Sequence, residues 1–191
     1  MDKRSFLKTA CGLGLCSCVP AVFGAGHSEP AQNNPETDKL REQNGRLNWR
    51  LNHARNQLAR LMELLEPELD ESVRKRILQE LGRNCAKSLG WAEQYKGNPE
   101  GFFKHMKDHS GEQLAFDGSG KTITIVTRER DCDCPLVVSN RMPAYYCDCS
   151  IGWQKQTYET ILGKSVEVEL RESVLRGAKR CVFVVSLDGR E

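Results

Sequence analysis

Beyond its first 26 residues the sequence has no apolar run long enough to cross a bilayer, which excludes a spanning helix there. It also has no surplus of charge. The chain carries 28 Lys+Arg and 26 Asp+Glu, and setting aside residues 1–26 removes Lys3, Arg4, Lys8 and Asp2, leaving 25 of each. Nucleic-acid binding needs a basic excess on one face, and this balance offers none. Proline is absent from Thr37 to Glu66 and glycine occurs there once, so nothing breaks a long helix in that stretch. No nucleophile–base motif is readable, which leaves an enzyme as the alternative and a binding module as the leading class.

What is present begins with MDKRSFLKTACGLGLCSCVPAVFGAG. A short basic start leads into an uncharged run of small and apolar residues, the layout of an export signal over 1–26. KRSFLK resembles the twin-arginine motif R-R-x-F-L-K, with Lys3 in place of the first arginine. Cleavage is expected after Gly24 or Gly26. A second option is LCSC, which loosely resembles a lipoprotein box with Cys18 as the lipidated residue. Either option implies export to the periplasm or cell envelope. The remaining 165 residues suffice for one domain with a core plus an extension.

Residues 27–37 are polar and proline-containing and read as a linker. From 38 to 66, Leu40, Asn44, Leu47, Leu51, Ala54, Leu58, Leu61 and Leu65 follow 4-3-4-3 spacing, an a/d seam of nearly four heptads. One expectation is a homodimer through Leu47, Leu51, Leu58, Leu61 and Leu65. The other is that the seam packs against its own domain.

Residues 67–191 read as a ligand- or metal-binding domain. Pro67 stops the first helix, Asp70 caps the next and Gly90 closes it. Val73, Ile77, Leu81, Cys85 and Leu89 recur on one face, which is expected to be buried. Asn98-Pro99 starts a short helix with Phe102, Phe103 and Met106 inward. Residues 114–127 then read as a hairpin around Asp117–Gly120. A helix follows from Ser150 to Leu162, and strands at Val166–Leu170 and Cys181–Leu187, the latter central. The fold class is α+β: helices first, then an antiparallel sheet with one helix inserted.

Six cysteines lie beyond residue 26: Cys85, Cys132, Cys134, Cys147, Cys149 and Cys181. Four form two Cys-x-Cys pairs. In extended chain, residues i and i+2 are roughly 6.5–7 Å apart with side chains on one face. That spacing strains a disulfide within a pair and suits two sulfurs on one ion. Cross-pairing, such as Cys132 to Cys147, stays open as disulfides. Asp131, Asp133 and Asp148 lie beside these sulfurs; negative neighbours raise a thiol pKa and oppose a free reactive thiolate. A divalent cation reverses that penalty. The expected metal ligands are therefore Cys132, Cys134, Cys147 and Cys149, with Cys181 joining, and the expected metal is zinc, with an iron–sulfur cluster as alternative. For an enzyme, Cys85 would be the nucleophile with His105 or His109 as base. Those two histidines, four apart, are otherwise surface residues, as is His53.

The segment from Tyr145 to Val185, with Cys149, Gly163, Val166-Glu167-Val168, Arg176-Gly177 and Cys181-Val182-Phe183, resembles the end of the 4-vinyl reductase (hydrocarbon-binding) domain family. GRNCAKSLG at Gly82–Gly90 resembles uncharacterised bacterial relatives and the 2-aminothiazoline-4-carboxylate hydrolase-like group. The resemblance implies an α/β sandwich-like binding domain, often dimeric, with a small apolar ligand and, in some members, zinc beside the pocket. The family's zinc cysteines correspond to Cys149 and Cys181. A third position falls on Ser173, a poor zinc ligand, for which Cys147, Cys132 or Cys134 is the substitute.

Overall fold

The computed structural model describes residues 35–110, 112–117, 120–129, 132, 134–138 and 141–187. The export segment and Cys18 lie outside the described residues, as does most of the linker. The chain divides into two units, Met1–Glu42 and Gln43–Glu191. In the first, the described residues are the opening turns of α1, where Arg41 pairs with Asp38 at 3.2 Å.

The helix α1 runs Pro35–Leu65 and ends before Pro67, as its unbroken composition requires. Within the second unit it buries Ala59 and Met62, and Leu58 and Leu65 pack beside them. Leu47, Leu51 and Leu61 stay exposed. The last part of the seam is thus shared with the chain's own domain, while its earlier leucines face outward.

The next helix, α2 (Glu71–Leu89), ends on Gly90 at φ 66°, a left-handed conformation that glycine adopts without strain. Asp70 stands at its N-cap, but its side chain makes no capping hydrogen bond. The buried face differs from the one the periodicity predicts. Leu78, Gly82 and Ala86 are inward, while Ile77, Leu81 and Leu89 are among the exposed large apolar residues and Cys85 is exposed. The reason is the neighbour, α4 (Asp148–Leu162). A Cβ on Gly82 would lie 1.8 Å from the Cys149 carbonyl oxygen, and one on Gly152 1.8 Å from that of Gln79. Two glycines let the helix backbones touch, so the helices meet along their small residues and the larger side chains splay aside.

Between them lie a single 3₁₀ turn at Trp91–Tyr95 and the short helix α3 (Pro99–His105). Asn98 caps α3 by accepting from the Gly101 N–H at 3.0 Å. Phe102 is buried, with Phe103 and Met106 half-buried beside it. A π-turn, Met106–Ser110, carries the chain into the sheet.

The sheet is antiparallel with order β1-β2-β4-β3. Its strands are β1 (Gln113–Phe116), β2 (Thr122–Val126), β3 (Glu167–Glu172) and β4 (Val182–Ser186). The most apolar strand, β4, is interior, as its composition predicts. Ile123 and Ile125 point to the core and Thr122 and Thr124 away, the period-2 pattern read in the sequence. The α+β class is therefore correct, with α4 inserted between β2 and β3.

Two apolar clusters form. The larger joins the sheet, α3 and α4 through Phe102, Ile123, Ile125, Tyr158, Ile161, Phe183 and their neighbours. Phe102 sits in an aromatic nest, with ring centroids 5.6 Å from Trp91, 5.7 Å from Tyr95 and 5.6 Å from Tyr158. The smaller cluster is Ala59, Met62, Leu78, Met142 and Tyr146, at the end of α1 against α2.

Candidate thiolate site

The second Cys-x-Cys pair is helical, where extended chain was expected. A 3₁₀ turn covers Ala144–Cys147, and α4 starts at Asp148, two residues before the predicted Ser150. Each residue of a helix turns the chain by about 100°, so residues i and i+2 do not share a face. The two sulfurs diverge accordingly. Cys147 is buried in the larger cluster, with Cys181 packed against it. Cys149 packs on the smaller cluster, with Cys134. The premise that each pair presents both sulfurs to one ion therefore fails for Cys147 and Cys149.

Even so, three separate segments deliver cysteines to one neighbourhood. Cys132 feels the charges of Cys134, Cys147 and Cys181, and Cys149 those of Cys134, Cys85 and Cys147. Two linked groups result, Cys132 with Cys147 and Cys181, and Cys149 with Cys134 and Cys85, joined through Cys132–Cys134 and Cys147–Cys149. The start of β4 is tied to the end of β2 by the Cys181 N–H donating to Thr127 Oγ1 at 2.9 Å and the Thr127 N–H donating to the Cys181 carbonyl at 3.0 Å. All six cysteines are free. Among the described residues, no three His, Cys, Asp or Glu side chains stand as they are placed in a group that could hold a metal ion.

Three of these thiols, Cys132, Cys147 and Cys149, are shifted toward the protonated form. Burial pushes the Cys132 thiol from 9.0 up to about 11, against a partial offset from the Cys134 backbone N–H. Burial likewise lifts Cys149 to about 12, with Cys134 and Cys85 adding to it. Cys147 is raised first by burial; the Ser173 hydroxyl and Arg176 oppose, while Cys181 and Asp148 reinforce. Neutral, desolvated thiols are poor nucleophiles, in keeping with the argument from the aspartates. Asp148 itself is raised by burial and held back chiefly by Arg176, 3.5 Å away. Asp131 and Asp133 lie outside the described residues.

Ser173 is fully buried, and its hydroxyl lies 2.9 Å from Cys147 Sγ. Ser173, where the resemblance would put a third cysteine, thus touches Cys147, one of the three thiols named as its substitute. Sequence reasoning missed Tyr146. Its ring is 2% exposed, and its hydroxyl has no partner among the described residues. An orphaned buried hydroxyl costs about 1–3 kcal/mol. Burial raises its pKa, and the next causes are all sulfurs: Cys149, Cys134, Cys85 and Cys132. The available signal was Pro143. A helical turn begun there sets Tyr146 three residues before Cys149, on one face. Gln156 and Thr157 also carry unpartnered atoms, but both border a small cleft between α2 and α4.

The other predicted residues lie elsewhere. Cys85 is exposed and not a core residue, and of the remaining cysteines it acts on Cys149. His105 and His109 stack on each other at 4.6 Å, and the His109 ring nitrogen Nδ1 lies 3.2 Å from the His105 carbonyl. His53 stacks on Trp49. A wide polar cleft lined by Glu93, Lys96, Glu159 and Lys164 lies toward the C-terminal end of α4, the end opposite the cysteines.

No family model matches the sequence, and no curated protein does. Among solved structures the chain is similar to a trafficking protein particle complex subunit 3 from Naegleria fowleri covalently bound to palmitic acid. The identity is 17%, the match covers 72% of this chain and 98% of that one, and the TM-score is 0.46.

Proposed function

We propose that the protein is a binding module whose cysteines hold a metal ion, zinc first among the candidates. Cys132, Cys134, Cys147, Cys149 and Cys181 are the ligand pool from which a four-thiolate set is drawn. The observation that supports this most is the meeting of the 132–134 segment, the start of α4 and the approach to β4 in one desolvated, sulfur-rich place. Zn²⁺ favours four tetrahedral thiolates, and its charge would offset the burial that raises the Cys132, Cys147 and Cys149 thiols. The orphaned Tyr146 hydroxyl and the Ser173 hydroxyl supply polar atoms around the sulfurs. A four-thiolate set is a closed site, which favours a structural role over catalysis. The 4-vinyl reductase-like resemblance, with its small apolar ligand, belongs to the same reading, as do export to the envelope and dimerisation through the outward leucines of α1.

Metal analysis of full-length protein as purified, without reductant, together with thiol counting, tests this. About one zinc per chain with four protected thiols is the expected result. Metal-free protein carrying two disulfides overturns it. That second reading has an observation of its own: Cys132 is coupled to Cys147, and Cys149 to Cys134, so each diverging sulfur has a partner from the first pair. An iron–sulfur absorption band would redirect the account to electron transfer.

A further inference from the structure

We propose that the outward face of α1 is a docking surface for an anionic lipid bilayer. The chain is balanced in charge as a whole but not along its length. From Gln43 to Met62 it holds Arg46, Arg50, Arg55 and Arg60 and no acidic residue. Arg46, Arg50, His53, Gln57, Arg60 and Leu64 follow 4-3-4-3-4 spacing, which sets them on one face of the helix. All six are exposed. A different face meets the domain: Ala59 and Met62 are buried, Arg55 donates to the Pro135 carbonyl, and Asn56 accepts from Arg141 at 3.1 Å. The stripe also lies beside the leucine seam rather than on it, so the inference rests on neither the metal nor the dimer.

Such a face asks its partner for negative charge and for a place to put apolar side chains. Neither Arg50 nor Arg60 forms an ion pair among the described residues. Next to Arg50 stands Trp49, at 65% the most exposed large apolar side chain among the described residues. Its indole stacks on His53, with ring centroids 5.4 Å apart. Leu64, 59% exposed, ends the stripe. Arginine heads pair with phosphate oxygens, while an indole and a leucine enter the boundary between headgroups and acyl chains. A nucleic acid would satisfy the arginines and leave Leu64 in water; an anionic bilayer satisfies both. A helix with arginines and a tryptophan on its free face is the kind that lies on a membrane. Among the described residues no helix is long and apolar enough to cross one, so the contact is with its surface. The element is also the first beyond the export segment and linker.

The test sets the full chain on vesicles of mixed phosphatidylglycerol and phosphatidylcholine against vesicles of phosphatidylcholine alone. Wild type should bind the anionic vesicles more tightly, and less so as salt rises. Arg50→Gln and Arg60→Gln should each lower that affinity about 5-fold, and together about 25-fold. The unfolding midpoint should not move, because both side chains are exposed. Tryptophan emission should shift to the blue on anionic vesicles. The shift should vanish in Trp49→Phe, since Trp91 and Trp153 are half-buried and stacked on each other at 5.7 Å. Unchanged affinity in the double variant overturns the proposal, as does a blue shift that survives Trp49→Phe. Residues 1–26 are common to every chain compared, so binding through them alone shows no difference between wild type and variants and counts against it. A duplex DNA fragment bound as tightly as the anionic vesicles, with the same dependence on Arg50 and Arg60, makes the face a nucleic-acid surface instead. A second copy seated there would leave the Trp49 emission unmoved by vesicles, which also overturns it.

Discussion

The two apolar clusters are built from different elements and different materials. On the sheet side, twelve described residues are buried together, among them Phe102, Tyr158 and the inward residues of β2 and β4. On the α1 side, five are: Ala59, Met62, Leu78, Met142 and Tyr146. The first cluster has aromatic rings packed edge to face and a four-stranded hydrogen-bonded sheet behind it. The second has two methionines, an alanine, sulfurs at its rim and a phenol without a partner. A core of the first kind holds itself by apolar burial. One of the second kind is thinner, and on the proposed reading a bound cation would make up the difference. The contrast teaches where stability and the proposed function would separate in this protein: the sheet side carries most of the buried apolar residues, and the cysteines gather toward the other.

That separation can be broken. The largest effect is expected from Phe102→Ala, which empties the aromatic nest and should cost about 3–5 kcal/mol, measured by chemical denaturation. The loss should be the same with and without metal; dependence on metal would mean the clusters are not separable. Metal removal comes next. Stripping a site held at about 100 times its Kd should lower stability by about 2.7 kcal/mol. Limited proteolysis should then cut within 134–142 while the sheet stays protected. A chelator that opens the sheet first would reverse the assignment.

Third is pH, on the metal-free reduced protein. The Cys132 and Cys149 thiols sit above their ordinary 9.0, at about 11 and about 12. The folded chain therefore holds protons that the unfolded chain has released. Their contribution is complete below 9.0 and is lost as pH climbs toward those values. Tyrosines unfolded ionise only from about 10, so the thiol window opens first. Denaturant midpoints should fall from 9.0 upward without metal and hold when metal is bound. A flat metal-free profile would show the thiols to be more solvated than their burial implies. The smallest effect is Asn98→Ala, which removes the α3 cap and should cost about 1 kcal/mol. It should leave metal uptake untouched, since α3 serves the sheet side alone.

Much of the fold was legible in the chain. Asn98-Pro99 and Gly90 marked helix ends, Asp117–Gly120 marked the hairpin, and alternation at Ile123 and Ile125 marked a strand facing a core. Each of these signals acts within a few residues, through backbone conformation or a local hydrogen bond. The candidate site was half legible. The residue types and the Asp148 charge were on view, but the geometry assigned to the second pair was extended and the chain is helical there. The start signal at Pro143 competed with a stronger cap signal at Ser150.

The sequence by itself determined the α+β class, the ends of α1 and α2 and the interior place of β4, because local propensity and composition are enough for each; the raised pKa of the buried thiols came from burial, which the fold supplies. Tertiary structure alone decided which face of α2 is buried and which way Cys147 and Cys149 point. Periodicity names several faces without ranking them. The choice fell to Gly82 and Gly152, because only where two helices both lack a Cβ can their backbones touch, and that contact sets the rotation of α4 and everything its first turn carries.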